Sequence, residues 1–528
     1  MPEAAKQTLP LALLMARDGF KINNSQPKGR QSAGASFLEA YFRFSGNKDH
    51  RIIVPSHEEA KWFHDEALRY SPDARTFAQK LIHWGDAAGE SGVFHCPDPG
   101  LNHWAWKRSP WGDGSFSLLG IVHTLCSHPV QQALGHFSTS PIRHWDALIC
   151  TSNASRKVVE GFLERQENWL RQQIHAKRFE RPQLPVIPLG IHSEPWAPPG
   201  NKSSAQERSR HAMGIRQDAE LLLIAGRLDL LTKFQPAPLL QSLEELRSTT
   251  HPNLEVLIYG EAPSQEMAQL WKQACTELVP RLKIHWVPGR KQDLAAPVRW
   301  AADVFISLAD NPQETFGITP LEAMAAELPC LVSDWDGYRD TVVHPGEGDA
   351  TGYRFSTRLV EGLGQSQALG LLSESLDYGQ AVGQLAQGIA VDLNEFKARL
   401  SELLKSPSTR LAMGEAGRKR VRHLFDWSVV IEQWRELIHE LNQRRGRALA
   451  CGETTPAQLP PWMPTCSDAY GSFATEVIPN HWRPQAPPLD LERQRLNNLF
   501  QSWDNTLLTE QDDARRRGWW LKQGLVER

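Results

Sequence analysis

Two glutamates eight positions apart frame the chain's most chemically suggestive stretch, Glu314-Thr-Phe-Gly-Ile-Thr-Pro-Leu-Glu322-Ala-Met-Ala. Gly317 would let the backbone turn without a Cβ clash. Thr319 is placed as a helix N-cap and Pro320 as the first helical residue, and Thr319-x-x-Glu322 has the spacing of a capping box. Leu321, Met324 and Ala325 would form the buried face of that helix, which Pro329 ends. A glycine loop entering a helix N-terminus presents free N–H groups and a partial positive charge, a site suited to a diphosphate. The plainer reading makes Glu322 a cap and Glu314 a solvated loop residue.

Other residue types admit chemistry less sharply. His123, Cys126 and His128 could in principle ligate zinc, but no second cluster has a recognised spacing, so no metal is expected. Lys28-Gly-Arg-Gln-Ser-Ala-Gly34-Ala-Ser reads as a second glycine-bearing turn into a helix, suited to phosphate or sugar, or else as an ordinary surface turn. The nineteen tryptophans are explained as well by packing as by sugar stacking.

The elements that must position these residues are strands alternating with helices. Candidate strands are 9–15, 147–150, 221–225, 254–259, 283–286, 304–307 and 329–332, mostly continuous Val, Ile and Leu runs as in parallel strands buried on both faces. The stretch 155–174 carries a one-sided apolar stripe of helical spacing. This pattern predicts two doubly wound α/β domains, in keeping with a length of 528 residues. We place the N-terminal domain at 1–190, a linker at 191–209, the second domain at 210–445 and a Pro-rich, then helical, extension at 446–528. Residues 192–207 have linker composition, residues 357–388 resemble an inserted helical excursion, and a helical pattern returns at 489–508.

Composition narrows the class. With 58 basic against 61 acidic side chains, net −3, nothing predicts a nucleic-acid-binding surface. Seven scattered cysteines without a CxxC pair fit a reducing cytoplasm. No apolar run approaches membrane-spanning length, and the apolar stretch 9–16 reads as a core strand. The basic run Arg418-Lys-Arg-Val-Arg422 is either a solvated helix face or a point of peripheral contact with the inner face of a membrane.

The glutamate pair around Phe-Gly, at the start of an Ala-rich helix, resembles the signature of retaining glycosyltransferases of the GT-B fold, family four. The resemblance extends in order from about Asp146 to Leu437. It includes Asp146–Arg156, Val186–Gly190, Ala225–Leu228, Leu257–Gly260, Ala302–Ser307, Ser333–Tyr338 and Phe425–Trp427. It implies two Rossmann-like domains facing each other across a cleft, and a glycosyltransferase (a hexosyltransferase of EC 2.4) that needs no metal or cofactor. The substrates it implies are a nucleotide-diphosphate sugar and a saccharide, lipid-linked or small-molecule acceptor, in glycoconjugate biosynthesis. By resemblance, Glu314 holds hydroxyls of the donor sugar and Glu322 the ribose, while the amides of Phe316, Gly317, Ile318 and Thr319 face the phosphates. Arg227 and Lys233 would neutralise the leaving diphosphate. The family spaces these two by five residues and this chain by six, so either the loop is longer by one or another residue fills the lysine's role. His123 resembles the histidine that follows an N-domain strand near the transferring sugar, a buried core histidine being the alternative. Gly34 stands where the family often has a Gly-Gly pair, here Gly-Ala. Two other readings remain at this stage: a GT-B epimerase or hydrolase of sugar nucleotides, and a non-catalytic glycan- or nucleotide-binding scaffold.

Overall fold

Short apolar runs become two parallel sheets of identical topology. The computed structural model describes residues 8–15, 17–20 and 29–479; Lys28 and the helical pattern at 489–508 lie outside them. The first sheet is built from β1 (Ala12–Leu14), β2 (Asp49–Val54), β3 (Arg75–Lys80), β4 (Val93–His95), β5 (Ser117–Ile121) and β6 (Ala147–Ile149). The second contains β7 (Glu220–Arg227), β8 (Leu254–Glu261), β9 (Lys283–Pro288), β10 (Val304–Ser307), β11 (Cys330–Ser333) and β12 (Gly352–Phe355). Strand order is β3-β2-β1-β4-β5-β6 in one and β12-β11-β10-β7-β8-β9 in the other, with every pairing parallel. Each order reverses direction beside its first strand, the doubly wound arrangement in which ligands bind beyond the carboxyl ends of the strands.

The chain crosses between the sheets twice, side by side. Ile191 N donates to Phe425 O (2.8 Å) and Trp427 N to Ile191 O (3.0 Å), while Ser193 Oγ donates to the Asp426 carboxylate (2.6 Å). From there the helix Trp427–Ala450 returns to the first sheet. Its Val430, Ile431, Trp434, Ile438 and Leu441 are buried in one core with Phe37, Leu38 and Tyr41 of the helix Gly29–Phe44. Trp427 also donates to Ser36 Oγ (2.6 Å) and lies so close to Gly190 that a Cβ there would meet its ring at 2.4 Å.

Two expectations change and one, the helical excursion, gains detail. The stretch read as linker contains a helix, Lys202–Met213, because Asn201 caps it by accepting from Ser204 N (2.8 Å). The excursion at 357–388 is a pair of helices, Gln365–Leu372 and Tyr378–Ala386, between two short antiparallel strands, β13 (Thr357–Leu359) and β14 (Ile389–Val391). The basic run is partly structural: Arg418 pairs with Glu327 (2.6 Å), and Arg420 donates to the carbonyls of Asp340 (2.7 Å) and Thr341 (2.9 Å). Among the described residues no helix is long and apolar enough to cross a membrane. The start of the extension is tied to the first domain by Thr455, which donates to Asp113 (2.8 Å) and accepts from Arg143 (2.7 Å). From Leu459 onward the chain forms a separate unit, with a short helix at Cys466–Tyr470.

His50 on β2 is fully buried between the rings of Tyr41 and Phe42, and neither ring nitrogen has a hydrogen-bond partner. Burial lowers its pKa from 6.5 to about 4, against the opposing charge of Asp49. Between those values the unfolded chain binds a proton that the native imidazole refuses, so this site's contribution to stability is lost as pH falls through that window. His50→Leu should flatten the acid loss of stability by up to about 1.4 kcal/mol per pH unit between pH 6.5 and 4. Urea unfolding at pH 7.5 and 5.0 checks this, and an unchanged difference between the two would contradict it.

Candidate active site

The second sheet delivers its chemistry at the carboxyl ends of its central strands. Arg227 ends β7, the segment Glu314–Thr319 follows β10, and the loop Asp334–Gly337 follows β11. Lys233 Nζ lies 2.9 Å from Glu314 Oε2, so the six-residue spacing after Arg227 does bring this lysine to the glutamate. The turn between them is wound on Asp229, whose carboxylate accepts from Leu231 N (3.0 Å) and Thr232 N (3.3 Å) and whose carbonyl accepts from Lys233 N (3.1 Å). Burial pushes the Glu314 carboxyl up, but Lys233, Arg227 and the Phe316 amide outweigh it, holding the group below the ordinary value and ionised. Arg227 Nε is buried and meets no acceptor, a guanidinium with a donor to spare.

The helix after Glu314 starts two residues earlier than its sequence suggests. It spans Ile318–Ala325 with Gly317 as N-cap at φ 89°, and no side chain caps it. The capping box of Thr319 and Glu322 therefore does not form. Pro320 sits in the third helical position, where an N–H would lack an intrahelical partner anyway. The early start is imposed from outside: the Tyr338 ring packs on Gly317 so closely that a Cβ there would lie 2.1 Å from Cε1. Tyr338 is fixed in turn by a 2.7 Å hydrogen bond between its hydroxyl and Ser307 Oγ. The outcome leaves the amides of Ile318 and Thr319 uncapped beside Glu314, Lys233 and Arg227.

Freed from capping, Glu322 pairs with Arg299, an arginine with no local sequence signal. Arg299 belongs to the helix Ala295–Ala301, is almost completely buried, and stacks over the rings of Trp196 (4.5 Å) and Tyr259 (5.8 Å). Burial raises the Glu322 carboxyl, and Arg299 offsets this only in part. The two glutamates thus shift in opposite directions.

Across the cleft, His123 follows β5. Burial lowers its pKa to about 4, with the Arg30 charge adding to the effect, so the ring is neutral at physiological pH. Its carbonyl accepts from Thr315 Oγ1 (2.9 Å), and Thr151 Oγ1 donates to Thr315 O (3.4 Å). Thr315, unnoticed in the sequence beside Glu314, thus ties the donor loop to both N-domain loops. Gly34 does not open a helix. It lies within Gly29–Phe44, where a Cβ would meet Gly19 O at 2.0 Å. With His123, Phe37, His95, Trp427 and Trp434 it lines a small apolar cavity of about 20 Å³. His123, Cys126 and His128 do not converge as metal ligands, and among the described residues no three such side chains do.

Residues 205–365 match the profile of the family described as glycosyl transferases group 1. A D-inositol 3-phosphate glycosyltransferase of Kineococcus radiotolerans is 27% identical over 269 residues, covering 49% of this chain and 52% of that protein. The matched region thus spans about half the length of this curated relative. A glycosyltransferase from Rickettsia africae shares the fold at a TM-score of 0.53 and 14% identity, over 83% of this chain and 99% of the other. HepE of Anabaena, solved with UDP bound, aligns at a TM-score of 0.50 and 13% identity, over 84% and 99%. Residues 205–365 thus carry a group 1 glycosyl transferase segment, and the paired doubly wound sheets share the fold of these solved structures.

Two substitutions test this packing. Arg299→Met should cost about 1–3 kcal/mol, because it removes the partner of a partly buried carboxylate. Gly317→Ala should cost about 1–3 kcal/mol from backbone strain alone, before the clash with Tyr338 is relieved. Denaturant unfolding measures both; a loss within 0.5 kcal/mol, roughly that of an ordinary surface change, would contradict the assignment concerned.

Proposed function

We propose that the chain is a retaining, metal-independent hexosyltransferase that moves a sugar from a nucleotide-diphosphate donor to a saccharide, lipid-linked or small-molecule acceptor. The observation that carries this reading is the convergence of the Glu314–Lys233 pair, Arg227 with its unpartnered Nε and an uncapped helix N-terminus at two adjacent strand ends. Two cations and free amides are what a departing diphosphate requires as its charge grows, and they can take the part a metal ion plays elsewhere. Glu314, kept ionised by Lys233, accepts hydrogen bonds from hydroxyls of the transferred sugar, and Glu322 takes the ribose. His123, neutral, contributes a hydrogen bond from the N-domain wall.

In the reaction the bond from the anomeric carbon to the phosphate oxygen breaks, and the acceptor oxygen bonds to that carbon from the same face. The acceptor's proton passes to the leaving phosphate, so no protein base is needed. The UDP held by HepE makes uridine the first nucleotide to test. D-inositol 3-phosphate, named for the curated relative, is the first acceptor to offer. All seven cysteines are free, five of them buried, which favours a reducing compartment and a cytoplasmic enzyme.

Thermal shift with UDP, GDP and ADP sugars identifies the donor, since a ligand at about a hundred times its dissociation constant adds about 2.7 kcal/mol of stability. Glu314→Ala should reduce transfer by about a hundredfold or more while the protein still binds the nucleoside diphosphate. Full activity in that variant would overturn the site. Release of nucleoside diphosphate that acceptors never accelerate would instead indicate a hydrolase.

A further inference from the structure

The paired helices between β13 and β14 have no part in either six-stranded sheet, yet they bring one side chain into contact with residues of both domains. Tyr378 opens the helix Tyr378–Ala386, whose first turn is held by reciprocal bonds between Asp377 and Gln380 (2.8 and 3.1 Å). That helix packs against the Lys233 loop, since a Cβ on Gly383 would lie 2.8 Å from Leu231 Cδ2. The Tyr378 hydroxyl donates to Gln313 Oε1 (2.9 Å) and lies 3.3 Å from Cys126 Sγ and 3.5 Å from Thr124 Oγ1. Gln313 donates in turn to Thr232 O (3.0 Å). One phenol therefore joins the N-domain loop that carries His123 to the two residues, Gln313 and Thr232, that precede Glu314 and Lys233.

We propose that the insertion is a latch and Tyr378 a positioning residue: its hydroxyl holds the His123 loop against the donor loops, so that the Glu314–Lys233 pair is set and the cleft is closed during transfer. A hydroxyl that bonds across two domains is made only in the closed arrangement, so it stabilises that arrangement over open ones. Burial raises the pKa of the phenol, which stays a neutral donor at physiological pH. The kinetic consequence rests on the glycosyltransferase reading; the structural consequence does not.

Tyr378→Phe removes the hydroxyl and keeps the ring. Labelling with N-ethylmaleimide, followed cysteine by cysteine by mass spectrometry, reads the latch directly. We expect Cys126 to react about tenfold faster in the variant, while buried Cys96, Cys150, Cys275 and Cys330 keep their wild-type rates. With UDP-glucose as donor, kcat should fall about tenfold while the Kd for UDP stays within about twofold. Gln313→Met, which removes the phenol's acceptor but leaves the ring in place, should give the same kinetic split. An unchanged Cys126 rate, or acceleration of all buried cysteines together, would overturn the latch, as would a loss of UDP binding that accounts for the whole fall in kcat. Selective exposure of Cys126 in a protein that turns over no nucleotide sugar would uphold the latch and reject the enzymatic reading.

Discussion

A carboxylate that is to remain a charged acceptor inside a cleft must stay ionised where burial favours its neutral form. In this chain that condition is met by Lys233, 2.9 Å from Glu314, with Arg227 and the Phe316 amide in support. Much of the surrounding structure follows from it. The turn on Asp229 aims the lysine, the ends of β7 and β10 bring cation and anion together, and Thr315 fixes the glutamate's neighbour to both N-domain loops. Of the two cations that hold Glu314 ionised, Arg227 still has a buried Nε–H without an acceptor.

Geometry between the domains is set away from the chemistry. The adjacent crossings at Ile191 and Phe425–Trp427, and the burial of the Trp427–Ala450 helix on the first sheet, fix how the two switch points face each other. Glu322 shows how packing assigns roles: with the helix start moved to Gly317 by Tyr338, its carboxyl is oriented by the buried Arg299 rather than spent on a cap.

The doubly wound class and most strands of the second sheet were legible because parallel strands buried on both faces are continuous apolar runs, as 221–225 and 304–307 are, whereas β2 to β5 and β12 were not among the expected strands. Glu314 was legible from its spacing to Glu322 around Phe-Gly, and Arg227 and Lys233 only through the family resemblance. What escaped depends on contacts distant in sequence. The start of the helix at Ile318 is decided by a tyrosine twenty-one residues beyond Gly317. Gly34 reads as a turn, yet it is a helical position where another helix's carbonyl comes close. Arg299 and Thr315 have ordinary types at ordinary spacings, and only the fold gives them partners. The insertion was visible as a departure from the pattern, while the reach of Tyr378 across the cleft was not.

The proposed function requires a nucleoside diphosphate to sit on the helix N-terminus at Gly317. A crystal structure with UDP tests it most directly. The diphosphate oxygens should lie within hydrogen-bonding distance, about 2.7–3.2 Å, of Arg227, Lys233 and the amides at Gly317–Thr319, with the ribose hydroxyls on Glu322. UDP seated at the Gly34 cavity, or a diphosphate that contacts neither Arg227 nor Lys233, would contradict it.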